Sequence, residues 1–130
     1  MENKYFIPDI EDFRFGYEFE RNYTKFHENW HSIKIVTYLD FEGLEYYIDE
    51  GLLRTPYLTK EQIEAEEWEY GGDTKYTWPS FKKGDYQMLF KNNHEIHISD
   101  LIHYNTKYHG ECKSINEFRF ICKLLNISRA

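Results

Sequence analysis

Cysteine is nearly absent from this chain, with Cys112 and Cys122 the only two in 130 residues. That scarcity points to free thiols in a reducing cytoplasm and not to a disulfide-stapled secreted scaffold. Long apolar runs are missing as well. None approaches the roughly 20 residues that cross a bilayer, and no apolar segment near Met1 leads to a small-residue cleavage site. A cytoplasmic protein without a membrane segment is therefore expected. A phosphate-cradling loop is lacking too, because Gly71-Gly72 has no Lys-Ser or Lys-Thr after it. Positive charge is in deficit, at 16 Lys and Arg against 23 Asp and Glu, a net charge of −7. The deficit opposes direct contact with a nucleic-acid backbone and favours basic protein surfaces. With no linker, repeat or low-complexity tract, residues 1–130 read as a single compact domain, long enough to bury roughly two-thirds of its unfolded surface.

Aromatic residues are what the chain has in plenty: 12 Tyr, 10 Phe and 3 Trp. Large rings pack well on pleated surfaces, so the composition leans toward strands. Phe13, Phe15, Tyr17 and Phe19 alternate with polar residues or glycine, which predicts a half-buried strand with Gly16 at a bulge or a close approach. Residues 33–39 (IKIVTYL) predict a second strand, and Leu44, Tyr47 and Ile48 a short helix closed by Gly51. Residues 52–57 read as an edge strand, because Pro56 lacks a ladder donor. Thr59 and Gln62 spell a capping box at the head of a two-turn helix over residues 60–67. Gly71-Gly72-Asp73 predicts a turn joining residues 67–70 to 75–78. Residues 86–91 and 95–99 form a second hairpin around Asn92-Asn93, and a further strand falls within 104–112. Ser114 with Glu117 predicts another capping box, opening a helix with Ile115, Phe118, Cys122 and Leu125 on one face and Asn126 beyond its end. The class is α+β: a mostly antiparallel sheet, a short acidic helix, and a C-terminal helix packed on one face.

Several constellations bear on chemistry. His27-Glu28-Asn29-Trp30-His31 satisfies the H-E-x-x-H pattern of zinc peptidases, which needs both imidazoles on one helix face. A β-branched strand begins too soon afterwards to leave room for that helix, so a loop or strand entry anchored by Trp30 is the better reading. His94, His97, His103 and His109 form a looser group, with His97 on the outer side of its strand beside Glu95 and Ser99. Asp9, Asp12, Glu18, Glu20 and Asp40 are the carboxylates from which a metal-dependent nuclease would draw, but the pattern Glu18-Phe19-Glu20 ends in an acid where such a core needs Lys. Cys112 beside His109 is a possible thiolate pair, while Cys122 lies on the apolar helix stripe. No metal or cofactor site is assigned, and the chain is read as a non-enzyme.

Recognition fits the residues better. Glu61, Glu64, Glu66, Glu67, Glu69 and Asp73 follow one another without a Lys or Arg, interleaved with Trp68 and Tyr70. Rings ringed by charge suit a protein interface, since rings supply buried area and charges steer encounter. Trp68 is the expected apolar anchor of this face. Residues 103–130 carry the opposite balance, with five basic residues against two acids. Tyr76 and Trp78 share a face if their segment is a strand.

Three stretches resemble small accessory proteins carried by phages and prophages of Bacteroidota. They are IEDFRFGYEFE (residues 10–20), LRTPYLTKEQIEAEEW (53–68) and GECKSINEFRFICKLLNI (110–127), about a third of the chain, in the same order. The chain departs from that pattern at Glu67, where a Gly is commoner, and at Phe118, where a Leu is usual. The resemblance brings no catalytic residues with it. What it implies is a setting: a phage-derived inhibitor, active in the host cytoplasm, that binds a host defence protein such as a CRISPR RNA-guided nuclease. The alternatives are a structural or regulatory phage protein that self-associates, and a zinc-dependent hydrolase using His27, Glu28 and His31. Oligomeric state is left open.

Overall fold

Turn and cap residues set where this chain reverses, and two sheets result. A computed structural model describes residues 4–24, 26–74, 78–91 and 94–127. The chain divides into two units, Met1–Tyr57 and Leu58–Ala130, each with an apolar core of its own. All strand pairings among the described residues are antiparallel, and a helix follows the last strand, giving the expected α+β class.

The first unit holds a four-stranded sheet. Its strands are β1 (Tyr5–Phe6), β2 (Glu18–Asn22), β3 (Trp30–Lys34) and β4 (Leu53–Pro56), in the order β1-β4-β2-β3. Helix α1 (Leu44–Asp49) ends before Gly51, whose φ of 71° is the left-handed stop that the sequence anticipated. Phe13, Tyr17, Phe19, Ile35, Leu44 and Leu53 form the core, with Phe13 edge-on to Phe19 at 5.1 Å. The buried Tyr17 and Thr55 hydroxyls hydrogen-bond each other at 2.9 Å, which offsets the cost of removing both from water.

Three expectations for this unit are corrected. The alternation from Phe13 to Phe19 is not one strand. A 3-10 turn at Ile10–Asp12, capped by Asp9, precedes it, and the chain bends at Phe15-Gly16, where Gly16 has φ 89° and donates to the Ile35 carbonyl at 2.7 Å. Phe13, Tyr17 and Phe19 are buried, but Phe15 faces solvent. The second strand is Trp30–Lys34 and not residues 33–39, because Asp40 gathers the N–H groups of Val36 and Thr37 and curls Tyr38–Phe41 into a second 3-10 turn. Finally, β4 is internal, lying between β1 and β2. Pro56 is tolerated there because the pairing with β2 has already ended at Arg54. The Tyr57 N–H donates to Lys4, so by the alternation of an antiparallel ladder the donor that Pro56 lacks would point to the other side.

The second unit opens with α2 (Lys60–Ala65). The capping box is formed in both directions: the Gln62 N–H donates to Thr59 Oγ1 at 3.2 Å, and the Thr59 N–H to Gln62 Oε1 at 3.1 Å. A meander follows, β5 (Glu69–Asp73), β6 (Pro79–Lys83), β7 (Tyr86–Phe90), β8 (Glu95–Asp100) and β9 (Asn105–Glu111), neighbours in sequence and in space. Helix α3 (Ile115–Leu124) lays Ile115, Phe118 and Ile121 into the core formed by Phe81, Met88, Ile96 and Ile98 of the sheet. Past its end Asn126 sits at φ 59°, and the N–H groups of Asn126 and Ile127 donate to Lys123 (3.2 Å) and Cys122 (2.9 Å). This is the Schellman arrangement, with Ile127 folded back into the core.

Two local expectations differ here. Gly71-Gly72-Asp73 is part of β5, where Gly71 is the extra residue of a bulge between Tyr70 and Gly72. Glycine suits a bulge as well as a turn, so the dipeptide alone did not decide. Of the residues 75–78 expected as a strand, only Trp78 is described, and Asn92-Asn93 also lie outside the described residues. Ser114 makes no side-chain cap bond; the Glu117 carboxylate instead accepts from the Lys113 N–H at 2.8 Å.

Glu67 supplies a first test. It stops α2 at φ 69°, and its N–H donates to the Glu64 carbonyl at 2.9 Å. A residue with a Cβ is strained in that region, whereas glycine is not. Glu67→Gly should raise unfolding stability by about 0.5–1 kcal/mol, read as a higher urea midpoint. An unchanged or lower midpoint would show that no strain is held there.

Candidate functional site

Helix α2, its C-terminal turn and β5 carry the acidic stretch. Glu61, Glu64, Glu67, Glu69 and Asp73 are all exposed, while Ile63 on the opposite side of α2 is fully buried. The short helix therefore has a charged outer side, on which Lys60 lies one turn from Glu64, and a core side.

Trp68 and Glu66 do not join the exposed row. Trp68, expected as the apolar anchor, is only 2% exposed and packs on Phe118 with ring centroids 5.7 Å apart. It continues inward the apolar row begun by Ile63, so it has no surface to offer a partner. Glu66 accepts from Arg119 Nε at 3.1 Å, and its main-chain carbonyl takes Lys83 Nζ at 2.9 Å. Its carboxylate holds α2 to α3.

The exposed ring in this stretch is Tyr70. Its hydroxyl donates to Asp73 Oδ1 at 2.7 Å, the Lys60 ammonium stands 3.5 Å above its ring, and Lys60 also reaches Glu64 at 4.0 Å. The hydrogen bond to Asp73, with partial burial and nearby carboxylates, raises the Tyr70 pKa. The ring's other side meets Phe81 at 5.6 Å. Tyr70 thus straddles core and surface, with its polar tip fixed among carboxylates. Its place in the acidic run was visible in the sequence.

The other candidate groups are spoken for locally. His27 and Glu28 lie in a bend before β3, and His31 is on β3 itself, so no helix presents the two imidazoles together. The zinc-peptidase geometry is not met. Trp30 opens the strand, as the loop-to-strand reading expects, and its ring backs the Arg54 guanidinium at 4.1 Å while Tyr5 covers the other side at 3.7 Å. Among the nuclease-type carboxylates, Asp9 and Asp12 cap the first 3-10 turn, Asp40 shapes the second, and Glu20 pairs with Arg54 Nε at 2.7 Å. Cys112 is buried, whereas His109, three residues earlier on β9, points to the opposite face, so the two make no thiolate pair. Burial pushes the Cys112 thiol pKa strongly upward and that of Cys122 to about 11.

His97 and His109 face each other across β8 and β9 and stack at 4.8 Å. Lys91 Nζ lies 3.1 Å from His109 Nε2; an ammonium only donates, so that ring nitrogen accepts. Burial, then the charges of His109 and Lys91, hold the His97 pKa below the ordinary imidazole value. The unfolded chain consequently takes up a proton more readily. Stability should be level above about pH 6.5 and fall as the pH drops below it. His97→Gln should flatten that fall in urea midpoints measured from about pH 7.5 to 5; an identical slope would place the dependence elsewhere.

Among the described residues, no three His, Cys, Asp or Glu side chains gather as a metal would require. Among the same residues, no helix is long and apolar enough to cross a membrane. No protein-family model matches the chain, and no curated protein or solved structure matches it either.

Proposed function

We propose that this chain is a non-catalytic, phage-derived inhibitor that docks on a host defence protein, most concretely a CRISPR RNA-guided nuclease. The observation that supports the reading best is the ring of Tyr70, fixed by Asp73 and Lys60 beside Glu64, in an acidic stretch that also exposes Glu61, Glu67 and Glu69. An RNA-guided nuclease holds its heteroduplex in a positively charged channel, which attracts such a stretch. Opposite charge speeds encounter, and a pre-ordered tyrosine adds contact area at little entropic cost. Net charge of −7 turns the same chain away from the nucleic acid itself. The phage setting rests on the resemblance in residues 10–20, 53–68 and 110–127. No cofactor enters the reading.

Titrating the purified chain into a guide-loaded effector nuclease tests it. Target cleavage should fall in proportion to the chain added and level off at a fixed stoichiometric ratio. Complete inactivation by a small fraction of an equivalent would mean turnover, and would remove the non-catalytic reading. Full cleavage at every ratio would remove the inhibitor reading for that nuclease.

A further inference from the structure

Among the large apolar side chains that the first unit leaves to solvent, Phe15 at 53% exposure, Val36 at 66%, Tyr38 at 81% and Leu39 at 72% lie on or beside two tight turns. A ring contact joins the two turns, and Val36 and Leu39 flank Tyr38 in sequence. The Phe15 ring meets Tyr38 edge-on at 5.1 Å and Phe41 at 5.5 Å, which joins the 15–16 turn to the 3-10 turn at Tyr38–Phe41. One oxygen of Asp40 pins that second turn. It accepts from the Val36 N–H at 2.8 Å, the Thr37 N–H at 2.9 Å and the Thr37 hydroxyl at 3.3 Å. The two backbone bonds also hold the Asp40 carboxyl below its ordinary pKa.

Single exposed apolar residues are ordinary; a cluster held in fixed geometry is not. Rings and aliphatic groups fixed before contact lose little conformational freedom on binding, which is how interface anchors act. The core has no use for these four, since Phe13, Tyr17, Phe19 and Ile35 fill it without them.

Charge decides what kind of surface fits the knob. Residues 1–57 hold twelve Asp and Glu against six Lys and Arg, while 58–130 hold eleven against ten, so six of the seven net negative charges travel with the knob. Exposed Glu42 and Glu45 follow it in sequence, with Arg14 and Lys34 the neighbouring bases. A second copy would set like charge against like, whereas a basic surface is attracted. We infer that the Phe15–Val36–Tyr38–Leu39 knob is a docking element for a protein surface offering an apolar pocket bordered by Lys and Arg. The inference goes beyond the α2–β5 face and stands without it.

The test uses the full isotope-labelled chain and two synthetic amphipathic helical peptides, one of Leu and Lys, the other of Leu and Glu. The Leu/Lys peptide should shift the amide signals of residues 15–16 and 36–41 saturably. A Tyr38→Ser, Leu39→Ser double variant, which leaves charge unchanged and alters only exposed side chains, should weaken that binding at least tenfold. A chain with Glu61, Glu64, Glu67 and Glu69 all changed to Gln should still show the shifts at the knob, so failure here and failure of the α2–β5 face are distinguishable. Unchanged affinity in the double variant would overturn the proposal, as would equal binding of the Leu/Glu peptide. Light scattering that shows a dimer dissolved by the double variant would make a second copy the occupant, and would overturn it too.

Discussion

Trp68→Ala should destabilise the second unit by about 3–5 kcal/mol. The indole is almost wholly buried and lies against Phe118. Its loss opens a cavity where α2, β5 and α3 meet, and the surrounding residues Ile63, Phe81 and Phe118 relax into it only partly. Against a typical domain stability of about 5–15 kcal/mol, that leaves the variant near the edge of unfolding. Urea unfolding and amide exchange across β5 and α3 would register it. A loss below about 1 kcal/mol would show that the ring is peripheral. The same result governs how binding data are read: weakened binding by Trp68→Ala reports a damaged core and not a lost contact, so Tyr70 is the ring to change when the face itself is probed.

Features that depend on residues within a few positions of one another were legible in the sequence. Thr59 with Gln62, Gly51 after α1 and Asn126 after α3 all act as their residue types dictate, because a cap is decided by its own turn. Features that depend on a distant partner were not. The alternation at Phe13–Phe19 satisfied the period of a strand, yet Phe15 belongs to a bend whose shape is set by Ile35, some twenty residues on. Ser114 and Glu117 have the right spacing for a box, but Glu117 finds the Lys113 N–H instead. The acidic row was readable as exposed because carboxylates seldom leave water unpaired. Which ring stays exposed beside it was not, because α3 covers Trp68 and leaves Tyr70 at the margin, a choice made by packing fifty residues away in sequence. Nor does any linker mark the division at Tyr57 and Leu58, so the concentration of charge in the first unit emerges only from the structure.

The second large effect is kinetic. Changing Glu61, Glu64, Glu67 and Glu69 together to Gln removes four exposed charges while sparing Glu66, whose pairing with Arg119 is part of the packing. Association with a basic partner at low salt should slow by about 10–100-fold. Dissociation should change far less, because steering charges act mainly on the encounter and the fixed Tyr70 contact is retained. Tyr70→Ala, made separately, should instead speed dissociation.

The most direct measurement is the association rate of both proteins with the same effector nuclease across roughly 0.05 to 0.5 M salt, where the screening length shortens severalfold. The account predicts a steep fall for the natural chain, a shallow one for the four-Gln variant, and convergence of the two at high salt. Two parallel lines would mean that these carboxylates do not face the partner, and would contradict the account at its centre.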